Sequence, residues 1–422
     1  MRSFIIKGTI CYSRSSKELA VQEDGFVICV DGVSMGVFSQ IPAEYLHLPV
    51  LDHTGSLVIP GLVDLHIHAP QYTFRGTGMD MELMDWLQKS AFPEESRFED
   101  PAYAAKAYGI FAQQMKKSAT TRAVVFGTRH APATEVLMEK LNEAGLVTYV
   151  GKVNMDQNAP SPLQEENADA AAEATVQWLE RTANRFDRCK PILTPRFIPS
   201  CSRQLLEKLS HIRKEWNIPV QSHLSENLLE IQLVLDLFPE EPSYGHCYER
   251  YGLMGQDCIM AHCVYSSAEE VALMKQRGVF IAHCPASNTN IASGIAPIRK
   301  YLDGGLNVGL GSDVAGGHSE SIFRAITDAI QVSKLYWRLV DSSCKPLCFE
   351  EAFYLATKGG GAFFGKVGSF EPGYAFDALV LDESAMPHWS QFDPRQRLER
   401  FAYLQTGSEA LQAKFVAGTK II

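Results

Sequence analysis

The chain is defined first by what it lacks. Its ten cysteines include no Cys-x-x-Cys pair, and several of them lie in apolar runs, as buried thiols do. That pattern suits a reducing compartment, so a cytoplasmic location is expected. No apolar run approaches the eighteen residues of a membrane span, so no membrane partner is expected. The opening residues, Met1-Arg2-Ser3-Phe4-Ile5-Ile6-Lys7-Gly8, show neither a long apolar core nor a small-residue cleavage site of a signal peptide. No Lys/Arg cluster stands out and the net charge is −10, which argues against a nucleic-acid partner. A Gly-x-Gly-x-x-Gly turn, an internal repeat and a low-complexity segment are missing as well.

What is present is an ordinary globular composition, 46% hydrophobic and 21% charged, spread over 422 residues. That length exceeds one small core and predicts a large domain with a smaller companion. Residues 1–60 read as β-rich. Phe4-Ile5-Ile6-Lys7-Gly8-Thr9-Ile10 and Gly25-Phe26-Val27-Ile28-Cys29-Val30 have strand character, and Asp31-Gly32 is a turn signal. Ser56–Gly61 leads into a further strand.

Beyond residue 60 the rhythm changes. Short apolar runs begin near Leu62, Thr121, Leu146, Pro191, Pro219, Cys258, Gly278 and Leu306. Helical patterns separate several of them, including one opening at Pro101 and others over Asn167–Arg185, Ser202–Glu215 and Ser267–Gln276. The last of these is followed by Gly278 as a stop. Strands alternating with helices indicate a parallel sheet. Eight runs fit a closed (β/α)8 TIM barrel, and the missing glycine-rich turn favours it over an open doubly wound sheet. Helices are predicted near Ser319–Leu339 and Phe349–Phe364. Strand signals return at Pro372–Asp382 and Lys414–Gly418. The predicted organisation is a barrel over residues 61–366 and a small β-sandwich domain built from residues 1–60 and 367–422.

In such a barrel, chemistry sits at the C-terminal ends of the strands. Run one ends at His66 and His68, two apart and so on one face of a strand, with Gln71 just beyond. Run four ends at Arg196-Phe197. Run five ends at His223, with Glu226 in the following loop. Runs six, seven and eight end at His262, His283 and Asp313. A single strand-end histidine is usually a hydrogen-bonded residue, and a single aspartate there is usually a helix cap. Five histidines and an aspartate converging on one rim are hard to explain as packing. His47, His211 and His388 fall in loops or helices and stand apart from the set.

Imidazoles with a carboxylate suit Zn2+ or Fe2+. His66, His68, His223 and Asp313 would make a mononuclear site with room for water, whose pKa such an ion brings toward neutrality. Glu226, three residues past a ligand, is the candidate general acid/base. Arg196 occupies the place where dinuclear sites carry a bridging lysine, which indicates one metal. Arg196 also supplies a fork of donors, which matches the O6 and N7 acceptors of guanine. Phe197 adds a flat apolar face, and the Gln71 amide both donates and accepts.

Pro60-Gly61-Leu62-Val63-Asp64-Leu65-His66-Ile67-His68 resembles the strand-one signature of the metal-dependent amidohydrolase superfamily. The finer details resemble the guanine deaminases within it. They are His66-Ile67-His68-Ala69-Pro70-Gln71, Phe92-Pro93-Glu94-Glu95, Thr194-Pro195-Arg196-Phe197, Ser222-His223-Leu224-Ser225-Glu226-Asn227, His283-Cys284-Pro285-Ala286-Ser287-Asn288 and Gly311-Ser312-Asp313-Val314-Ala315-Gly316-Gly317. The match spans roughly residues 58–366.

The resemblance implies one zinc per subunit on His66, His68, His223 and Asp313. His262 counts as a ligand in some members and as a water or substrate contact in others. It implies that His68, Gln71, Arg196, Phe197, His223, Glu226 and Asp313 meet the substrate, and that Glu226, Asp313 and His262 are catalytic. The implied reaction is hydrolysis of guanine to xanthine and ammonia by a metal-activated water, in a homodimer. Two alternatives stay open. One is a related enzyme acting on 8-oxoguanine, a pterin, a triazine or an adenosine derivative. The other is a non-catalytic scaffold on the same fold.

Overall fold

The computed structural model describes residues 2–384, 386, 391–404 and 410–422; His388 lies outside the described residues. Strands are numbered in chain order: β1 Phe4–Ser15, β2 Glu18–Val30, β3 Val33–Phe38, β4 Val50–Pro60, β5 Leu62–His68, β6 Thr120–Phe126, β7 Val147–Gly151, β8 Val153–Asn154, β9 Cys189–Pro191, β10 Thr194–Pro195, β11 Val220–Leu224, β12 Cys258–His262, β13 Phe280–His283, β14 Asn307–Leu310, β15 Ala378–Leu381, β16 Leu411–Val416 and β17 Thr419–Lys420.

Two four-stranded parallel sheets, β5-β6-β7-β9 and β11-β12-β13-β14, form the barrel. The pair β8–β10 and a bridge between Leu193 and Val220 join them on one side. On the other side Asp313 N donates to His66 O at 2.8 Å and His68 N donates to Val314 O at 3.0 Å, closing the ring. Inside it pack Val63, Leu65, Val124, Ile192, Ile259, Ala261 and Ala282. A larger core fills the space between strands and helices. This is why the strands read as continuous apolar runs: both of their faces are buried.

The helices begin and end where local chemistry dictates. Asn167 caps Ala168–Thr182, Ser202 caps Arg203–Trp216 and Ser267 caps Ala268–Arg277, each side chain accepting a backbone N–H of the first turn. Gly278 ends the third of these in the left-handed region, φ 70°. Ser321 caps a helix that starts at Ile322 rather than at 319. The helix expected over 349–364 holds its α form only through Tyr354, then widens to a π turn over Leu355–Gly359.

Both ends of the chain enter one seven-stranded sheet of order β17-β16-β15-β4-β1-β2-β3. It curls back on itself. Val33 of β3 bridges Ala375, and Phe376 N donates to Gly32 O at 2.8 Å. The two halves thereby face each other as a small sandwich enclosing Phe4, Ile6, Val27, Phe376 and Phe415. β3 and the helix Pro394–Leu404 had no clear signal in the sequence. The strand expected from Pro372 begins only at Ala378, because Gly373 turns the chain at φ 86°.

Candidate active site

The barrel mouth is shaped first by an irregularity in β5. Its pairing with β6 runs Asp64 to Ala123 and then Ile67 to Val125, so β5 carries one extra residue. A bulge of this kind re-aims the side chains around it. Asp64, fully buried, holds the bulge. Its Oδ1 accepts from His66 N at 3.1 Å and Ser312 N at 3.0 Å, and its Oδ2 accepts from Ser312 Oγ at 2.5 Å. Three other strand ends turn through left-handed backbone, at Ser225 (φ 47°), His262 (φ 71°) and Asp313 (φ 46°). Non-glycine residues seldom adopt this conformation, and it concentrates at functional sites.

Four lone-pair donors meet at this mouth. His68 Nε2 lies 3.2 Å from His66 Nε2 and 3.2 Å from His223 Nε2. Asp313 Oδ1 lies 3.2 Å from His66 Nε2 and 3.5 Å from His68 Nε2. His223 Nδ1 donates to the Arg196 carbonyl at 2.5 Å, which leaves Nε2 as a bare lone pair. Burial lowers the pKa of His66, and pushes His68 and His223 well below the usual imidazole range, each ring further disfavouring charge on its neighbours. Burial alone would raise Asp313. The surrounding His66, His262 and His68 outweigh it and hold the carboxylate well below its ordinary range. Neutral imidazole nitrogens crowded against an ionised carboxylate form a donor set that suits a divalent cation.

His262 stands beside this cluster. Its Nδ1 donates to Asn288 Oδ1 at 2.8 Å, and its Nε2 faces Glu226 Oε2 at 3.4 Å and Asp313 Oδ2 at 3.7 Å. Burial opposes charge on the ring, yet Glu226 and Asp313 raise its pKa. Glu226 is buried at the end of the β11 loop, where desolvation pushes its carboxyl up to about 7. Ser293 Oγ donates to Glu226 Oε1 at 2.9 Å, leaving Oε2 toward His262.

A pocket opens above these groups. Gln71, Arg196 and Phe197 line it together with His68, His223, Glu226, His262 and Asp313, and Leu83, Trp86, Leu87 and Ile291 supply its apolar wall. The residues singled out in the sequence are thus brought to one place, His66 through the histidine–aspartate cluster and the others through the pocket. His283 is the exception. It ends β13 and is buried, but it lines no part of the pocket, and among the described residues neither ring nitrogen has a hydrogen-bond partner. Ala282, just before it, faces the barrel interior, so His283 falls on the opposite face with Ile281. Four strand-end histidines reach the site, not five.

Sequence reasoning quoted Asp64, Glu95 and Asn288 within its motifs but gave them no role, and it passed over Ser293. Asp64 alone had a local signal, a carboxylate in the middle of an apolar strand. The others meet the site only through tertiary contacts.

Residues 57–416 match the family model described as Amidohydrolase family, and the chain belongs to that family. Among its relatives, guanine deaminase from Dictyostelium discoideum is 36% identical over 433 residues, covering 98% of this chain and 91% of that protein. Guanine deaminase from Escherichia coli (strain K12) is 34% identical over 342 residues, covering 80% and 76%. The crystal structure of guanine deaminase from C. acetobutylicum with guanine bound in the active site superposes with a TM-score of 0.96 at 43% identity, covering 100% of both chains.

Proposed function

We propose that this chain hydrolyses guanine to xanthine and ammonia. The observation that carries the reading is a single pocket in which a cation-binding cluster, a buried carboxylate and a guanidinium–amide pair face one another. The guanine deaminase relatives support it over most of the chain's length.

His66, His68, His223 and Asp313 would hold one zinc ion, with His262 at its edge. A divalent ion in such a set lowers the pKa of bound water, so that hydroxide is available near neutral pH. The protein's own groups do the rest. Arg196 directs guanidinium donors at the O6 and N7 edge of the purine, Gln71 adds an amide, and Phe197 covers a face of the ring. This sets C2 toward the catalytic carboxylates. Glu226 takes one proton from the attacking water and passes it to N3, then carries the remaining hydroxyl proton of the C2 adduct to the amine, which leaves as ammonia as the C2 oxygen becomes a carbonyl. Asp313 orients the water and helps deprotonate it. His262, a donor toward the Glu226 side, supports the attacking oxygen.

Among the described residues no helix is long and apolar enough to cross a membrane. The ten cysteines are free, which supports a cytoplasmic location. We also propose a homodimer, and a division into a barrel of residues 61–366 and a β-domain of 1–60 and 367–422. The deciding experiment measures xanthine and ammonia formed from guanine, with metal content determined on the same sample. Turnover with about one metal per chain supports the reading. No turnover after loading with zinc or iron defeats it.

A further inference from the structure

Arg196 and Gln71 do not stand alone in the pocket wall. Behind both lies Glu95, on the short helix Phe92–Ser96, fully buried and not itself part of the wall. Its Oε1 accepts from Gln71 Nε2 at 2.8 Å, and its Oε2 accepts from Arg196 Nη1 at 2.6 Å. One turn earlier on the same helix, the Phe92 ring lies 5.0 Å from the Arg196 guanidinium carbon. Gln71 is held from its other end as well, because Ala315 N donates to Gln71 Oε1 at 3.0 Å.

We infer that Glu95 is a positioning residue for base recognition: its carboxylate locks Gln71 and Arg196 into one recognition unit and fixes which way the Gln71 amide points. The inference rests on the guanine reading above. The chemistry is a closed donor–acceptor count. Gln71 turns its oxygen to Ala315 N–H and its nitrogen to Glu95, so its amide cannot invert without setting NH2 against N–H. Arg196 gives one donor to Glu95 and keeps its other guanidinium N–H groups for the base. A guanidinium buried this deeply needs a compensating charge, and Glu95 supplies it whether or not substrate is present. The fork is therefore preorganised, so substrate binding need not also order it.

Glu95→Gln is the sharpest test because it keeps the shape. A glutamine there has one acceptor oxygen and one NH2 facing two donors, so one contact becomes donor against donor whichever way it turns. The expected result is a KM for guanine raised about tenfold or more, with kcat within about threefold and metal content unchanged. Glu95→Asp is expected to recover part of the loss. A cycle of Glu95→Ala, Arg196→Ala and the double variant is expected to be non-additive, the double falling within about threefold of Arg196→Ala alone in kcat/KM. Effects that multiply instead, or a Glu95→Gln KM within about twofold of the parent, overturn the inference. A lowered melting temperature with KM unchanged also overturns it, since that is the signature of a purely structural role. Failure of the parent chain to turn over guanine defeats the functional reading and this inference with it. Normal turnover by the parent with an indifferent Glu95→Gln defeats the inference alone.

Discussion

The carbonyl oxygen of Arg196 accepts a 2.5 Å hydrogen bond from His223 Nδ1. Through that bond, the backbone of the residue assigned to read the base also orients the ring assigned to hold the metal. The two tasks separate by mutation. Arg196→Ala keeps the carbonyl and deletes the guanidinium, so metal content stays near the parent value while KM for guanine rises. His223→Gln removes the imidazole, and both metal and activity are lost, the latter by at least about a hundredfold. Elemental analysis beside steady-state kinetics distinguishes the two; equal metal loss in both variants contradicts the assignment.

Glu226 should set the acidic limb of the activity profile. Desolvation raises its carboxyl to about 7, His262 opposing. The sign follows from the base role proposed for it: the carboxylate is present above that pH and is protonated as pH falls through it. kcat/KM is expected to fall about tenfold per pH unit below this point. Glu226→Gln should lower kcat by about a hundredfold or more with metal still bound. A flat profile from pH 5 to 8 would remove Glu226 from the proton transfer.

Arg122 of β6 donates through Nε to Asp377 Oδ2 at 2.6 Å, joining the barrel to the terminal sheet. Asp377 Oδ1 also accepts from Ala417 N at 2.7 Å. The side chains are 9% and 0% exposed, so breaking the pair leaves a guanidinium buried without its counter-charge. Asp377→Asn is expected to cost about 3–5 kcal/mol in denaturant titration. A midpoint equal to the parent's would show that the junction is held elsewhere.

Thiol chemistry gives an independent check of the fold. Nine of the ten cysteines are buried, and Cys348 alone is exposed. Desolvation still raises Cys348 to about 11, so its thiolate fraction, and with it alkylation, should climb about tenfold per pH unit from pH 8 toward that value. Cys11 and Cys189, pushed up to about 12 by burial, should stay unmodified in the native protein. Peptide mapping after iodoacetamide that found Cys189 labelled before Cys348 would contradict the packing around β9.

The strand ends show how much could be read from the chain alone. Barrel strands are buried on both faces, so each appears as an apolar run closed by whatever polar residue reaches the mouth. That pattern sufficed to place His66, His68, Arg196, His223, His262 and Asp313 at one rim. It could not separate His262 from His283, since both end apolar runs. The backbone separates them: His262 turns through φ 71° into the mouth, whereas His283 stays in the extended strand and faces away.

The sequence by itself therefore determined the alternation of strands and helices in the barrel, the caps that bound several of its helices, and the chemical character of the site. These follow from local periodicity and side-chain type. Only the tertiary structure decided how the groups meet. The β5 bulge held by Asp64 is stabilised from Ser312, 248 residues away. Glu95 stands 24 residues from Gln71 and 101 from Arg196. Contacts at such separations leave no local trace in the chain, because they exist only once the barrel has closed and water has been excluded from its mouth.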